Sequence, residues 1–206
     1  MKLAELDAVV LDAYGTLMTL LDPVPRLVEV LAAHGVERSP EQVLAGVRAE
    51  IAHYGPHASE GHDEESLARL QHDCAGVFLG AVESDLDAGE FAPVYVGALR
   101  FEVLPGVVAS LDRLRALGLE LAVVANWDLT LHERLEQLGL RRYFSTVVHA
   151  ARKPAPDGLL LALDELGVDP ARALYVGDSD ADEQAARAAG MQFAPAPLAD
   201  AVAALT

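Results

Sequence analysis

From Gly106 to the end of the 206-residue chain, segments with helical spacing alternate with short apolar runs, and this alternation leaves few folds open. VVASLDRLRALG, LTLHERLEQLG, DGLLLALDELG and DEQAARAAG repeat apolar residues three and four apart, as one face of a helix requires. Between and after them stand LELAVVAN, STVVHA, ALYVGD and MQFAPA, each of strand length. Helices that interleave with apolar strands cover both faces of a parallel sheet, so the pattern predicts an α/β fold with a doubly wound parallel sheet. Ala8 to Leu11, stopped at once by Asp12, Gly15 and Thr16, reads as a further buried strand near the start.

Between about Asp22 and Arg100 the pattern is helical only, in PRLVEVLAAHG, PEQVLAGVRAEIAHYG and ESLARLQHDCAGVFLGAV. One strand precedes this block and the others follow it, so it reads as an insertion. The expected organisation is a core of residues 1–19 and 101–206 with a helical cap of residues 20–100, lying as a lid above the sheet. Gly139, Gly167 and Gly190 each follow a helix where a left-handed cap is wanted.

Composition narrows the partners. A chain with 52% hydrophobic residues can build a core and is not disordered. Its 15 basic and 32 acidic side chains give a formal charge of −17, which repels nucleic acid and anionic membranes and leaves small molecules as the expected partners. The single cysteine, Cys74, cannot form an internal disulfide, which fits a reducing compartment. Glu5, Asp7 and Asp12 interrupt the N-terminal apolar residues, unlike a signal peptide, and no apolar run reaches membrane-spanning length; a cytoplasmic location is expected.

Four distant segments each place a polar group just past an apolar run: VVLDAYGT, LAVVANWD, ARKPAP and LYVGDSDAD. Residues at the carboxyl ends of neighbouring parallel strands converge on one crevice. Asp12, at the end of a buried strand, needs a cation, a metal or hydrogen-bond donors, although a strand-end aspartate can also serve only as a turn former. Gly15 permits a tight turn and the Thr16 hydroxyl can anchor it, which would present the Asp12 carboxylate as a nucleophile. Lys153 is one of only two lysines, with Lys2, against 13 arginines, and a compact ammonium can neutralise a nucleophilic carboxylate together with a developing anion. Asp178, Asp180 and Asp182 offer the oxygen ligands that Mg²⁺ prefers; the plainer readings are an acidic loop and, for Asp182, a helix cap.

Taken together these segments resemble the haloacid dehalogenase superfamily, whose pattern is a strand-end DxDGT loop, a strand-end Ser or Thr, a Lys, and an acidic GDxxxD loop. Here the motifs stand at Asp12–Thr16, Ala125–Asn126, Lys153–Pro154 and Gly177–Asp182, and the likeness covers nearly the whole chain. It implies a Rossmann-like core with an inserted α-helical cap, a covalent intermediate on Asp12, and Lys153 as its charge partner. It also implies Mg²⁺ held by Asp12, the Tyr14 carbonyl and Asp178, with Asp182 completing the acidic loop. Substrate contacts are expected from Thr16, Asn126 and Trp127. Two positions depart from the family. Tyr14 replaces the second Asp, the general acid and base of the phosphatases, and Ala125 replaces the Ser or Thr hydroxyl, a loss that Asn126 can partly cover. DAYGT is also how the metal-free 2-haloacid dehalogenases write the first loop, so the resemblance leaves three readings: a Mg²⁺-dependent phosphate hydrolase of a small metabolite, a dehalogenase, and a binding or regulatory protein with little turnover.

His53, His57 and His62 are a weaker metal candidate, because Gly55 and Pro56 are expected to break the helix that would align the first two. No GxGxxG or GxxxxGK[ST] sequence marks a nucleotide cradle.

Overall fold

A computed structural model describes residues 5–205; Lys2 lies outside them. The chain divides into two compact units, one made of residues up to Thr19 and from Glu102 onward, the other of Leu20–Phe101.

In the first unit, β1 (Ala8–Leu11) is followed by β2 (Met18–Leu20), whose last residue lies in the second unit. The second unit contains α1 (Val24–Ala33), α2 (Pro40–His57), α3 (Glu64–Ala81) and α4 (Ala88–Ala98). The chain returns through β3 (Phe101–Val103) to α5 (Val107–Ala116), β4 (Glu120–Val124), α6 (Leu131–Gln137), β5 (Thr146–Val148) and α7 (Asp157–Leu166). It ends with β6 (Ala173–Gly177), α8 (Asp180–Ala189), β7 (Gln192–Pro195) and α9 (Leu198–Ala203).

Five strands form one sheet in the order β5-β4-β1-β6-β7, and every pairing is parallel. The chain lays β4 and β5 on one side of β1 and then crosses to lay β6 and β7 on the other. The strand order therefore reverses between β1 and β6, and an open α/β sheet has its crevice at the carboxyl ends of the strands there. The central strands need covering on both faces, and AVVL in β1 and ALYVG in β6 are buried throughout. Ala8, Val10, Ala122, Val124 and Tyr175 pack on one side against Leu159, Ala162 and Leu163 of α7 and Ala185, Ala186 and Ala189 of α8.

Two short strands were not expected from the sequence. The Leu21 N–H donates to the Arg100 carbonyl and the Leu104 N–H to the Leu17 carbonyl, so β2 and β3 run in opposite directions as a two-stranded ribbon. The second unit has its own core, in which Phe78, Phe91 and Tyr95 pack with Leu27, Leu31, Val43 and Val47. Ser39 with Gln42 and Asp63 with Ser66 close capping boxes at the starts of α2 and α3.

The expected break at Gly55 and Pro56 does not occur, since α2 continues through both to His57. Pro56 sits in the last turn, where its missing N–H forfeits only one helical bond. The His53 and His57 rings consequently stack, 4.6 Å between centroids. Gly139, Gly167 and Gly190 adopt φ of 68°, 68° and 78°, the left-handed conformation expected after their helices.

Candidate active site

Asp12 is the first residue past β1, and its N–H still donates to the Val176 carbonyl of β6, which fixes the carboxylate at the reversal point of the sheet. The chain then turns sharply: the Gly15 N–H bonds to the Met18 carbonyl and the Leu17 N–H to the Ala13 carbonyl. Glycine is required twice over at position 15. Its φ is +76°, and an added β-carbon would lie 2.0 Å from Asp178 Oδ2. Thr16 does not anchor this turn as expected. It is 1% exposed, its hydroxyl has no hydrogen-bond partner, and it does not line the pocket described below.

Lys153 reaches the same point from the loop after β5. Ala150 and Arg152 in that loop hold φ of 51° and 57°, which costs about 1 kcal/mol or more per non-glycine residue. The loop after β4 supplies the compensating contacts. The Ala150 N–H donates to the Trp127 carbonyl (2.8 Å) and the Ala151 N–H to the Ala125 carbonyl (3.2 Å). The Asn126 amide makes a two-point clamp on Lys153: Nδ2 donates to the Lys153 carbonyl (2.9 Å) and Oδ1 accepts from its N–H (2.7 Å). Asn126 lines the pocket, and the clamp engages one Nδ2 proton and one Oδ1 lone pair of its exposed amide.

The Lys153 ammonium lies 2.5 Å from Asp12 Oδ1, 2.5 Å from Asp182 Oδ1 and 2.9 Å from the Tyr175 hydroxyl. All four side chains are buried. In the sequence Tyr175 is one residue of an apolar strand, and a phenol inside ALYVG carries no local signal of a polar partner. Its hydroxyl also reaches the Val124 carbonyl at 3.0 Å and Asp182 Oδ1 at 3.1 Å.

The acidic loop after β6 is ordered by a capping box in which Ser179, not Asp182, is the cap of α8, with Asp182 as its third helical residue. Asp182 Oδ2 accepts from the N–H groups of Asp178 (3.1 Å) and Ser179 (3.0 Å) and from the Ser179 hydroxyl (2.6 Å). With Oδ1 held by Lys153 and Tyr175, both oxygens of Asp182 are engaged, so the geometry makes it an orienting group. Gly177 is needed here, because a β-carbon on it would lie 2.5 Å from the Asp182 side chain. Asp180 is exposed and does not line the pocket.

Burial drives the electrostatics. It pushes the Asp12 carboxyl up to about 6, with the Lys153 charge opposing and the Asp182 charge adding to it. Asp178 is raised by burial and by Asp182. For Asp182, burial acts upward, but the Lys153 charge and the hydrogen bonds from Lys153 and Ser179 outweigh it and hold the carboxyl below the ordinary range. Burial and the nearby carboxylates push the Tyr175 phenol well up.

Asp12, Asp178 and Asp182 each present an oxygen, all within 4.8 Å of one another. This donor set is hard oxygen throughout and suits Mg²⁺. The pocket around it has a volume of about 160 Å³ and is lined by Asp12, Tyr14, Ala125, Asn126, Trp127, Lys153, Asp178, Ser179, Ala181 and Asp182. Tyr14, 48% exposed, faces Trp127 with ring centroids 6.5 Å apart, and the Trp127 indole N–H donates to the Thr130 hydroxyl. The structure thus brings seven of the eight expected site residues to one pocket; Thr16 stands outside it.

Known proteins resemble this chain to different degrees. A 93-residue segment is 41% identical to phosphoglycolate phosphatase of Escherichia coli strain K12, covering 43% of this chain and 37% of that protein, so the match spans well under half of the curated relative. A haloacid-dehalogenase-superfamily hydrolase of subfamily IA from Geobacter sulfurreducens superposes with a TM-score of 0.59 at 25% identity, over 98% of this chain and 97% of that one. L-2-haloacid dehalogenase from Xanthobacter autotrophicus shares the fold with a TM-score of 0.66 at 23% identity, over 92% of this chain and 77% of its own. A model of the haloacid dehalogenase-like hydrolase family matches residues 6–190, which span every segment that builds the pocket, and the chain belongs to that family.

Proposed function

We propose that this chain is a Mg²⁺-dependent hydrolase of a small phosphate ester, acting through a covalent intermediate on Asp12. The observation that carries this reading is the convergence of Asp12 and Asp178 on one oxygen-lined point while Lys153 pairs with Asp12. Asp12, Asp178 and the Tyr14 carbonyl would hold the cation, with Asp182 fixing the loop. When bound, Mg²⁺ would offset the negative charge gathered by the carboxylates and the phosphate oxygens.

The protein's own groups then have definite tasks. An Asp12 oxygen forms a bond to phosphorus as the bond from phosphorus to the ester oxygen breaks. The leaving oxygen takes a proton from water, since Tyr14 stands where a carboxylic acid would have given one. Water then adds to phosphorus, releasing inorganic phosphate and restoring the Asp12 carboxylate. Lys153 balances charge throughout, and the Asn126 clamp keeps its backbone in place. A positioned acid and base contributes about 10²–10⁴ in rate, so turnover should fall short of a family member with both aspartates by about that factor.

In this reading the helical unit, Leu20–Phe101, serves as the cap that selects substrate, and the working compartment is a reducing one such as the cytoplasm, as the lone, buried Cys74 suggests. 2-Phosphoglycolate, which the Escherichia coli relative acts on by its name, is a small ester of the required class and a natural first candidate. Halide displacement from a 2-haloacid is the second reading, favoured by Tyr14 in the DAYGT loop, and it would proceed without added cation. Turnover of both substrate types with and without Mg²⁺ separates the two: ester hydrolysis that needs Mg²⁺ and is lost in Asp12→Asn is expected, and metal-independent halide release would replace it.

A further inference from the structure

The Lys153 ammonium has three N–H donors and meets three acceptors, at 2.5, 2.5 and 2.9 Å, so it is saturated. Two of the acceptors are carboxylates. The third is the hydroxyl of Tyr175, a side chain with no surface exposure in the middle of β6. A buried phenol needs only one partner to be tolerated, and the Val124 carbonyl at 3.0 Å would suffice. The further approach to both Lys153 and Asp182 is more than that requirement asks for.

We propose that Tyr175 is a positioning residue for Lys153: its hydroxyl is the uncharged third anchor that keeps the ammonium in place when Asp12 loses its negative charge. In catalytic terms this rests on the proposed chemistry at Asp12, whereas the anchoring is a property of the resting protein. Once Asp12 is esterified to phosphorus, its carbonyl oxygen is a weaker acceptor than the carboxylate was, and the ammonium is free to swing toward the phosphate oxygens. Asp182 and Tyr175 are the contacts that still hold it. The hydroxyl can do this at every stage, because it gives its proton to Val124 or Asp182 and turns a lone pair to Lys153. Asn126 fixes the backbone of the same residue, so the two contacts divide the work between main chain and side-chain tip.

The test exploits the scarcity of lysine. With only Lys2 and Lys153 in the chain, ¹⁵N-lysine labelling yields two ammonium signals. In the unsubstituted protein, magnetisation should pass from the Lys153 ammonium protons to the Tyr175 ring, whose centroid is 5.5 Å from Nζ. In Tyr175→Phe, which keeps the ring, the Lys153 signal should move and its proton exchange should quicken by about tenfold, the expected worth of one hydrogen bond to a charged group, while Lys2 stays unchanged. On a phosphate ester the same variant should lose about tenfold in kcat with little change in KM. An unaltered Lys153 signal and exchange rate in Tyr175→Phe would overturn the proposal, and so would the absence of transfer to the ring in the unsubstituted protein, which decides the matter even if the variant does not fold. If the unsubstituted protein hydrolyses no ester, the hydrolase reading falls and the lysine spectra still decide whether Tyr175 anchors Lys153.

Discussion

Asp178 Oδ2 occupies the volume that a β-carbon at position 15 would need, so Gly15 and Asp178 are one design seen from two loops. Gly15→Ala should therefore displace Asp178 as well as strain the turn. The expected outcome is a lower thermal midpoint and weaker Mg²⁺ binding together, measured by unfolding and by calorimetric titration. Asn126→Ala should remove two of the four contacts that hold the strained Lys153 loop, and loss of about 2 kcal/mol of stability with at least tenfold lower ester turnover is expected. At this scale the sequence was informative where chemistry and position coincide. Each of Asp12, Lys153 and Asp178 has a plain reading alone, and they stand out because each follows an apolar run and parallel strands bring such positions to one crevice. Tyr175 and Thr16 were not legible in the same way. Nothing in ALYVG tells a phenol that serves a lysine from one that merely fills space, and a threonine beside a tight turn gives no hint that its hydroxyl is left without a partner.

The loop-to-helix element that carries Asp178 and Asp182 depends on Ser179, which caps α8 and also donates to Asp182 Oδ2. Ser179→Ala should cost about 1 kcal/mol through the cap, and it should weaken Mg²⁺ binding as well because Asp182 loses a donor. In the second unit, Glu50 on α2 is buried, and that burial raises its carboxyl above the ordinary range. The folded state thus holds the Glu50 proton more tightly than the unfolded chain does. The stability linked to this group is full below the ordinary carboxyl range and is lost as pH rises through the raised value. Glu50→Gln should raise the thermal midpoint at about pH 7–8 and give no gain at about pH 4. The long amphipathic helices and the central strands were readable from period alone, whereas β2 and β3 were not. Each has three residues, too few to show a period, and their pairing is set by chain ends brought together across the inserted unit. The course of α2 through Gly55 and Pro56 escaped for a related reason: a proline in a final turn removes one bond only, and tertiary contacts outweigh it.

Over the whole molecule, a formal charge of −17 makes self-repulsion a standing cost, so moderate salt should raise the thermal midpoint by screening it. Mg²⁺ should do more than an equal ionic strength of NaCl, and Asp178→Asn should abolish the excess while keeping the screening effect. The order of the parallel strands explains why a site built from four distant segments was visible at all. A sheet that reverses between β1 and β6 gathers whatever follows its strands, so the function of the loops follows from the position of the strands. The central claim is that Asp12 is the nucleophile of a Mg²⁺-dependent phosphate hydrolase. The most direct test is release of p-nitrophenol from p-nitrophenyl phosphate by the protein and by Asp12→Asn, each with and without Mg²⁺. Turnover that requires Mg²⁺ and disappears in the variant is the predicted result; turnover that survives the substitution, or none at all in the unsubstituted protein with Mg²⁺ present, would contradict it.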